Sequence, residues 1–500
     1  MRTFMQFFVS VVAGAVSVFA FAPYNYWAVP YLTLAWLFYC WANANPKAAF
    51  FHGLAFGTAL FIVGTSWVYN SLSVYGGMPL WMGSIAVLGF SLLLGFFTAA
   101  CGLVLALLVP KENQSRILFI PIFWVVFEWL KSWVLTGFPW LDFGYSQTDT
   151  VLFHLAPVGG LYLVSFAVSC VAVALLTTAL ALWQRRYRTL AWSSVVALLI
   201  VSVSGYLGTV EWGSTVGKPL TVGVVQPNTP IENKWGPAYR NQVLNRLENA
   251  TRQITSQGDV DLVIWPETAL PALLSQTNDE FWTRVRPEGT ALLTGIVDRE
   301  MNTGEIADYN AAILVCDSGS GVYRKRHLVP FGEYLPLRFL FQWVLDYLQL
   351  PMSDFASWQD VQNLECGQEL KIGLSICYED AFSGEHRKHT QAATMLVNIS
   401  EDAWFGDSLA PHQRLQMAQM RAKELALPLV RSANSGPSVF INEHGRIEQQ
   451  SAQFEGATLT AVVQPRSGAT TFRIYGEWVV YLSLLLIAYQ SVRRFRQSRS

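Results

Sequence analysis

Charge is scarce in this sequence: 14% of its 500 residues are Asp, Glu, Lys or Arg, against 52% hydrophobic and 14% aromatic. A typical soluble domain carries about a quarter charged residues, so much of the surface must face something other than water. An excess of positive charge is missing too. The formal net charge is -1, which gives no basic face for nucleic acid. Cysteine is sparse and scattered, at positions 40, 101, 170, 316, 366 and 377. No CxxC or Cys/His cluster has zinc spacing, so neither a metal site nor a disulfide framework is indicated. His386 and His389 lie three apart behind Glu385, with no third ligand motif, and read as part of a polar surface segment.

What charge there is lies unevenly. From Met1 to about Gly208 the chain is a series of apolar stretches with few charges between them; from about Lys218 to Gln464 it resembles an ordinary soluble protein. Apolar residues return from Trp478 to Tyr489, and the chain closes on Arg493, Arg494, Arg496 and Arg499. The order is membrane, soluble, membrane. The expected units are a transmembrane region over 1–213, a soluble domain over 219–465, and a last helix with a basic tail over 470–500.

A span needs roughly 20 mostly apolar residues. Stretches near 4–22, 27–43, 49–69, 80–109, 117–134, 158–183, 190–209 and 476–492 qualify, which predicts an integral membrane α-helical bundle of about eight spans with both termini on one side. Arg2, Lys47, Lys111, Arg116, Arg185, Arg186, Arg188 and the C-terminal arginines then share one face. The opposite short loops, near Pro23–Tyr26 and Asn70–Pro79, carry no Lys or Arg; only Lys131 departs. Positive residues favour the cytoplasm, so the soluble region is expected outside. Cys316 and Cys366 would then lie in an oxidising compartment, with their pairing open. Ala20-Phe21-Ala22 has the small-residue pattern of a signal cleavage site, but Pro23 directly after it argues against cleavage.

In the soluble region short apolar runs alternate with polar helical stretches. Leu220–Gln226, Leu262–Trp265, Ala291–Ile296, Ala311–Cys316, Ile372–Cys377 and Met395–Ile399 read as buried strands, and Tyr239–Gln257 and His412–Leu425 as helices. This alternation predicts an α/β layered domain. Gln226, Glu267, Cys377 and Asn398 fall at strand ends, where α/β sheets usually carry their chemistry.

Three segments stand out: VIWPETALP with Glu267, YRKRHLVPFGEYLP with Lys325 and Glu333, and GLSICYED with Cys377. Singly, each has an ordinary role, since a lone cysteine at a strand end is usually a small core hydrophobe. Together they supply a base, a cation for a developing oxyanion and a nucleophile, as acyl transfer through a thiol requires.

These segments resemble the Glu-Lys-Cys motifs of the nitrilase superfamily, a layered αββα fold. With the flanking spans, the chain resembles the apolipoprotein N-acyltransferase family nearly end to end. Matching stretches include LTGFPWLDFGYSQ (135–147), YGGMP (75–79), VGVVQPN (222–228), LTGIVD (293–298), DAWFGDS (402–408) and RSANSG (431–436). The resemblance implies an enzyme of the bacterial inner membrane, its catalytic domain in the periplasm and both termini in the cytoplasm. It implies transfer of a fatty acyl chain from a membrane phospholipid to the α-amino group of a diacylglyceryl apolipoprotein, with no metal or other cofactor. Glu267 is then the base, Lys325 steadies the oxyanion and Cys377 carries the acyl group. Glu333 orients Lys325 or assists proton transfer; Tyr378 and Glu379 support the nucleophile, the Tyr378 N–H completing the oxyanion hole. Trp235 resembles a mobile aromatic residue at the substrate entrance.

Phe138, Trp140, Phe143 and Tyr145 lie between two spans on the outer side. They read either as an interfacial aromatic belt or as an apolar floor admitting acyl chains. Glu401, where the resembled family commonly has Asn, and Pro437, where an apolar residue is usual, depart from the pattern and are expected not to touch the triad. Two rivals stand beside this reading. A membrane-tethered amidase or nitrilase would use the same triad with water, but hydrolysis of a soluble amide needs no apolar approach. A receptor or transporter would carry charges within its spans, for which Glu128 is the clearest candidate.

Overall fold

The computed structural model describes residues 2–111, 116–234, 236, 238–302, 305–336, 338–339, 354–367 and 370–499. Each of the eight apolar stretches carries an α-helix: α1 (Arg2–Val16), α2 (Val29–Asn43), α3 (Pro46–Gly64), α4 (Leu80–Leu108), α5 (Arg116–Lys131), α6 (Ala156–Trp183), α7 (Tyr187–Leu207) and a last helix, Trp478–Arg499. Among the described residues four helical stretches are long and apolar enough to cross a membrane: Pro46–Gly64, Leu80–Leu108, Val151–Trp183 and Tyr187–Leu207. Helices α1 and α2 have 15 residues each and α5 has 16.

Small residues let these helices approach closely. A Cβ added to Gly53 of α3 would stand 2.6 Å from the Thr98 carbonyl oxygen of α4, a distance that only glycine avoids. Buried hydroxyls bond back into their own helices, as Ser17 does to the Ala13 carbonyl and Thr65 to that of Phe61. Arg116 is buried and donates to the Trp41, Ala44 and Val109 carbonyls, which joins three helix ends. The Ala20-Phe21-Ala22 segment is also buried, and the Ala22 N–H bonds Gln416 at 3.0 Å. A cleavage-site sequence held in this way is part of the packed structure.

The sheet region has two six-stranded sheets. One runs β12 (Ile447–Gln450), β11 (Val439–Ile441), β10 (Leu429–Ala433), β9 (Met395–Ser400), β8 (Leu370–Ile376), β7 (Leu364–Cys366). The other runs β13 (Ala457–Val463), β2 (Leu220–Gln226), β3 (Leu262–Ile264), β4 (Ala291–Asn302), β5 (Glu305–Cys316), β6 (Gly319–Arg324). A short ribbon of β1 (Gly213–Thr215) and β14 (Arg466–Gly468) lies apart. Inner faces meet through Val222, Val224, Leu293, Leu374, Val397 and Val430. The helix Arg240–Thr255 covers one outer face through Val243, Leu247 and Ile254, and the helix Leu409–Leu425 covers the other through Leu415, Ala418 and Ala422. The order is therefore helix, sheet, sheet, helix, as sheets buried on both faces require.

The central strands β2, β3 and β4 are parallel, as are β8, β9 and β10. Strands β4 and β5 run further than the apolar runs Ala291–Ile296 and Ala311–Cys316 suggested, because they continue into a polar antiparallel hairpin that pairs as far as Asn302 with Glu305. One other expectation changes, and one open point is decided. His386 is 3% exposed, so it belongs to the packed interior rather than the surface. Cys316 and Cys366, at the ends of β5 and β7, are joined in a disulfide.

Candidate active site

Glu267, Lys325 and Cys377 come from segments far apart in sequence, and each lies just beyond a strand. Pro266 ends the β3 ladder, and Thr268 takes a left-handed φ of 43°. Gly295 of β4 backs directly onto this turn; an added Cβ would overlap the Thr268 nitrogen. Lys325 follows β6, its N–H bonded to the Asn310 carbonyl at 2.8 Å. Cys377 follows β8 with φ 52°, a strained conformation for a residue with a side chain.

The carboxylates and the lysine form one buried cluster. Lys325 Nζ stands 2.8 Å from Glu333 Oε1 and 3.6 Å from Glu267 Oε1. Asn310 Nδ2 donates to both carboxylates, at 2.7 Å each. The Glu401 N–H donates to Glu267 Oε2 at 2.8 Å, and the Val329 N–H to Glu333 Oε2 at 2.8 Å. Glu401 thus touches the triad, contrary to the expectation drawn from its sequence position. Its side chain also binds Lys234 Nζ at 2.8 Å, and Lys234 donates to the Glu267 carbonyl at 3.1 Å. Lys234 thereby balances the Glu401 carboxylate.

Burial raises the Glu267 carboxyl above its ordinary range; Lys325 opposes the rise and Glu333 adds to it. Lys325 stays firmly protonated, because Glu333 and Glu267 outweigh its burial. Burial, followed by the Glu267 charge, pushes the Cys377 thiol up to about 11, while Arg414 and Lys325 pull it down. At neutral pH the sulfur is therefore a thiol, and any attack by it requires a base to remove its proton. A buried carboxyl poised above its usual range suits that work.

Glu379 does not face the thiol. It accepts from the Ile376 N–H at 2.7 Å, the Tyr323 hydroxyl at 2.8 Å and the Arg326 N–H at 2.8 Å. It thereby clamps the Cys377 turn to the loop that carries Lys325. The Tyr378 hydroxyl donates to the Gly137 carbonyl at 3.0 Å, and its ring stacks on Trp140 at 6.1 Å between centroids. Trp140 is 1% exposed, stacks on Phe138, and donates to Gln413 at 2.7 Å, so it does not sit in an interfacial belt. Tyr145 is buried with its hydroxyl 3.4 Å from the Ala381 carbonyl, and Phe143 packs on Phe21 and Trp124. Trp235 lies outside the described residues. Lys131 and Glu128 have structural partners: Lys131 pairs with Asp142 at 2.7 Å, and Glu128 accepts from the Phe143 N–H at 3.0 Å. Gln226 and Asn398 also serve the scaffold, through Ser438 and Arg431 respectively.

The motifs did not single out Asn310, Lys234, Arg414, Arg431, Asp380 or Asp402. Signals existed: Arg431, Asp402 and Asp380 lie within RSANSG, DAWFGDS and GLSICYED, and Asn310 interrupts an apolar strand in ADYNAAILVC. A polar side chain inside a buried strand must have a partner.

A thiol, a carboxylate and a lysine at the strand ends of a layered α/β sandwich define the class, and residues 221–471 match the carbon-nitrogen hydrolase family. Residues 13–174 match the apolipoprotein N-acyltransferase N-terminal domain. Three bacterial proteins carrying the name apolipoprotein N-acyltransferase align nearly end to end. The one from Methylococcus capsulatus is 37% identical, over 94% of this chain and 92% of its own length. Those from Pasteurella multocida and Azotobacter vinelandii are 33% and 36% identical, each over 97% of this chain and over 95% and 94% of their own lengths. The chain belongs to the apolipoprotein N-acyltransferase family, a membrane-associated branch of the carbon-nitrogen hydrolases.

Proposed function

We propose that the chain transfers a fatty acyl group from a membrane phospholipid to the α-amino group of the diacylglyceryl-cysteine of an apolipoprotein, through a thioester on Cys377. The observation that carries this reading is the fastening of the nucleophile turn to the helical half, by the Tyr378 bond to Gly137 and the stack on Trp140. Hydrolysis of a soluble amide calls for no such join.

In the first half-reaction Glu267 takes the Sγ proton while sulfur bonds the ester carbonyl carbon. The oxygen that gains charge faces Lys325 and the Tyr378 N–H. Collapse breaks the ester C–O bond, and the departing lysophospholipid alkoxide receives the proton from Glu267. In the second, the neutral α-amine attacks the thioester and gives a proton to Glu267. The C–S bond then breaks, and the thiolate regains that proton. Each preplaced donor at such an oxyanion contributes about 3–4 kcal/mol. Glu333 and Asn310 hold Lys325 and Glu267 in place for both steps. Trp140, Phe138 and Tyr145 form apolar surroundings that keep water from the thioester, and by resemblance Trp235 serves the substrate entrance.

The chain divides into a helical region over 1–213, a catalytic domain over 219–465 and a closing helix with its tail over 470–500. Its eight helical stretches are eight spans of a bacterial inner membrane, with the catalytic domain in the periplasm and both termini in the cytoplasm. The distribution of Lys and Arg supports that orientation, and the Cys316–Cys366 disulfide suits an oxidising compartment. Labelling of a cysteine placed at Lys47 by an impermeant reagent from outside the cell would overturn it.

The chemistry is tested by incubating the purified chain with phospholipid and no acceptor, then examining the Cys377 peptide by mass spectrometry. An acyl adduct that hydroxylamine removes, and that Cys377→Ser lacks, is expected. No adduct with any phospholipid sinks the reading.

A further inference from the structure

The Cys377 sulfur has a second cationic neighbour. Arg414, on the helix Leu409–Leu425, is 1% exposed, and its Nη1 stands 3.5 Å from Sγ. Its Nη2 donates to the Cys377 carbonyl at 2.6 Å. Nη1 also donates to Ser400 Oγ at 2.6 Å and Asp402 Oδ1 at 2.8 Å, so its two hydrogens are shared among three acceptors, of which the sulfur is the most distant. Arg414 and Arg431 share two carboxylates. Asp380 lies 3.2 Å from each, and Asp402 lies 2.8 Å from each. The four charges cancel in sum, yet a guanidinium is the member in contact with Sγ.

Lys325 is placed differently. Glu333 and Glu267 already compensate its charge before any substrate arrives. Facing the thiol are Glu267 and Lys325 from the β2–β6 side, Arg414 from the helix, and Asp402 from the segment after β9. Asp380 stands on the nucleophile turn itself. Glu267 and Asp402 resist thiolate; Arg414 and Lys325 favour it.

We propose that Arg414 is the cation that prepares the sulfur, leaving Lys325 for the oxyanion. Through Nη2 it fixes the left-handed turn at Cys377, and through Nη1 it stabilises negative charge on Sγ. Its two carboxylate partners set how much of its charge the sulfur feels.

The inference rests on Cys377 being the nucleophile, so the test reads the thiol and not turnover. The full-length protein in detergent is alkylated with iodoacetamide from neutral to alkaline pH, and modification of the Cys377 peptide is followed by mass spectrometry. Arg414→Gln should raise the alkylation midpoint by about one pH unit or more, since an opposite charge this close has been removed. Asp380→Asn touches no sulfur but takes one carboxylate from Arg414, and should lower the midpoint. A loosened structure alone would shift both variants the same way. An unmoved midpoint in Arg414→Gln, or an unchanged or raised one in Asp380→Asn, overturns the proposal. If Arg414→Gln cannot be recovered folded, the direction of the Asp380→Asn shift decides.

Discussion

The helical half and the sheet half bury their charges on different scales. Among the helices, hydroxyls bond their own backbone, as Ser17 and Thr65 do, close packing comes from glycines such as Gly53, and buried charges stand singly or in a pair, as Arg116 does on carbonyls and Lys131 with Asp142. In the sheet half full charges are buried in compensated clusters: Arg414, Arg431, Asp380 and Asp402 on one side of the thiol, Lys325, Glu333 and Glu267 on the other cluster. The difference follows from what each half does. Helices that meet lipid need only packing and satisfied backbone groups. A buried thiol that is to lose a proton, as proposed for Cys377, needs an oriented electric field, and fixed charges supply one.

The two halves should therefore fail differently. The largest effect is expected for Arg431→Met, which leaves Asp380 and Asp402 with one guanidinium between them. Breaking a buried ion cluster from one side costs about 3–5 kcal/mol, to be seen as a large fall in thermal unfolding temperature in detergent. A small change there would mean that water or movement compensates the cage, and the contrast drawn above would fail. Gly53→Val should cost about 1–3 kcal/mol by overpacking α3 against α4. It should leave the alkylation midpoint of Cys377 where it is, because no charge near the sulfur changes; a shifted midpoint would tie helix packing to the field. The smallest effect is expected at the seam. Trp140→Phe keeps a ring against Tyr378 but loses the bond to Gln413, a loss of about 1 kcal/mol, measurable as a modest drop in unfolding temperature. A drop as large as that of Arg431→Met would show that the seam, not the cage, holds the domain together.

That seam explains how a membrane helix region positions a sheet. Gln413 accepts from Trp140 and Trp67 and donates to the Gly64 carbonyl, so one amide joins α3, the 138–140 loop and the helix that carries Arg414. Glu424 lies further along that helix and accepts from the Leu161 N–H at 2.6 Å, where α6 resumes after the break at Gly159 and Gly160. Asn70 and Ser71 bond the Phe405 and Trp404 carbonyls just beyond Asp402. The hydrophobic core runs unbroken across the join, from Trp67 and Trp140 to Tyr378 and Phe382.

Much of this was legible without coordinates. LTVGVVQ became β2 residue for residue, and Glu267, Lys325 and Cys377 each fall just past the end of a strand. Local composition suffices there, because an apolar run closed by Pro or a polar residue leaves the backbone little choice. The contact between Glu401 and Glu267 was misjudged, since nothing near position 401 reveals what its N–H will meet across the sandwich. Arg414 was invisible for the same reason: on a helix with polar residues on both sides, a buried arginine looks like a solvated one.

By itself the sequence determined the apolar stretches, six of the strands, the family and the three residues proposed as the triad, because each is written in neighbouring residues or in a motif. Only the tertiary structure decided that Cys377 sits beside a guanidinium as well as a lysine, that Glu379 clamps rather than faces the thiol, and that Trp140 is interior. Those facts depend on which surfaces of distant elements come together, and an electric field at a buried atom is a property of that assembly.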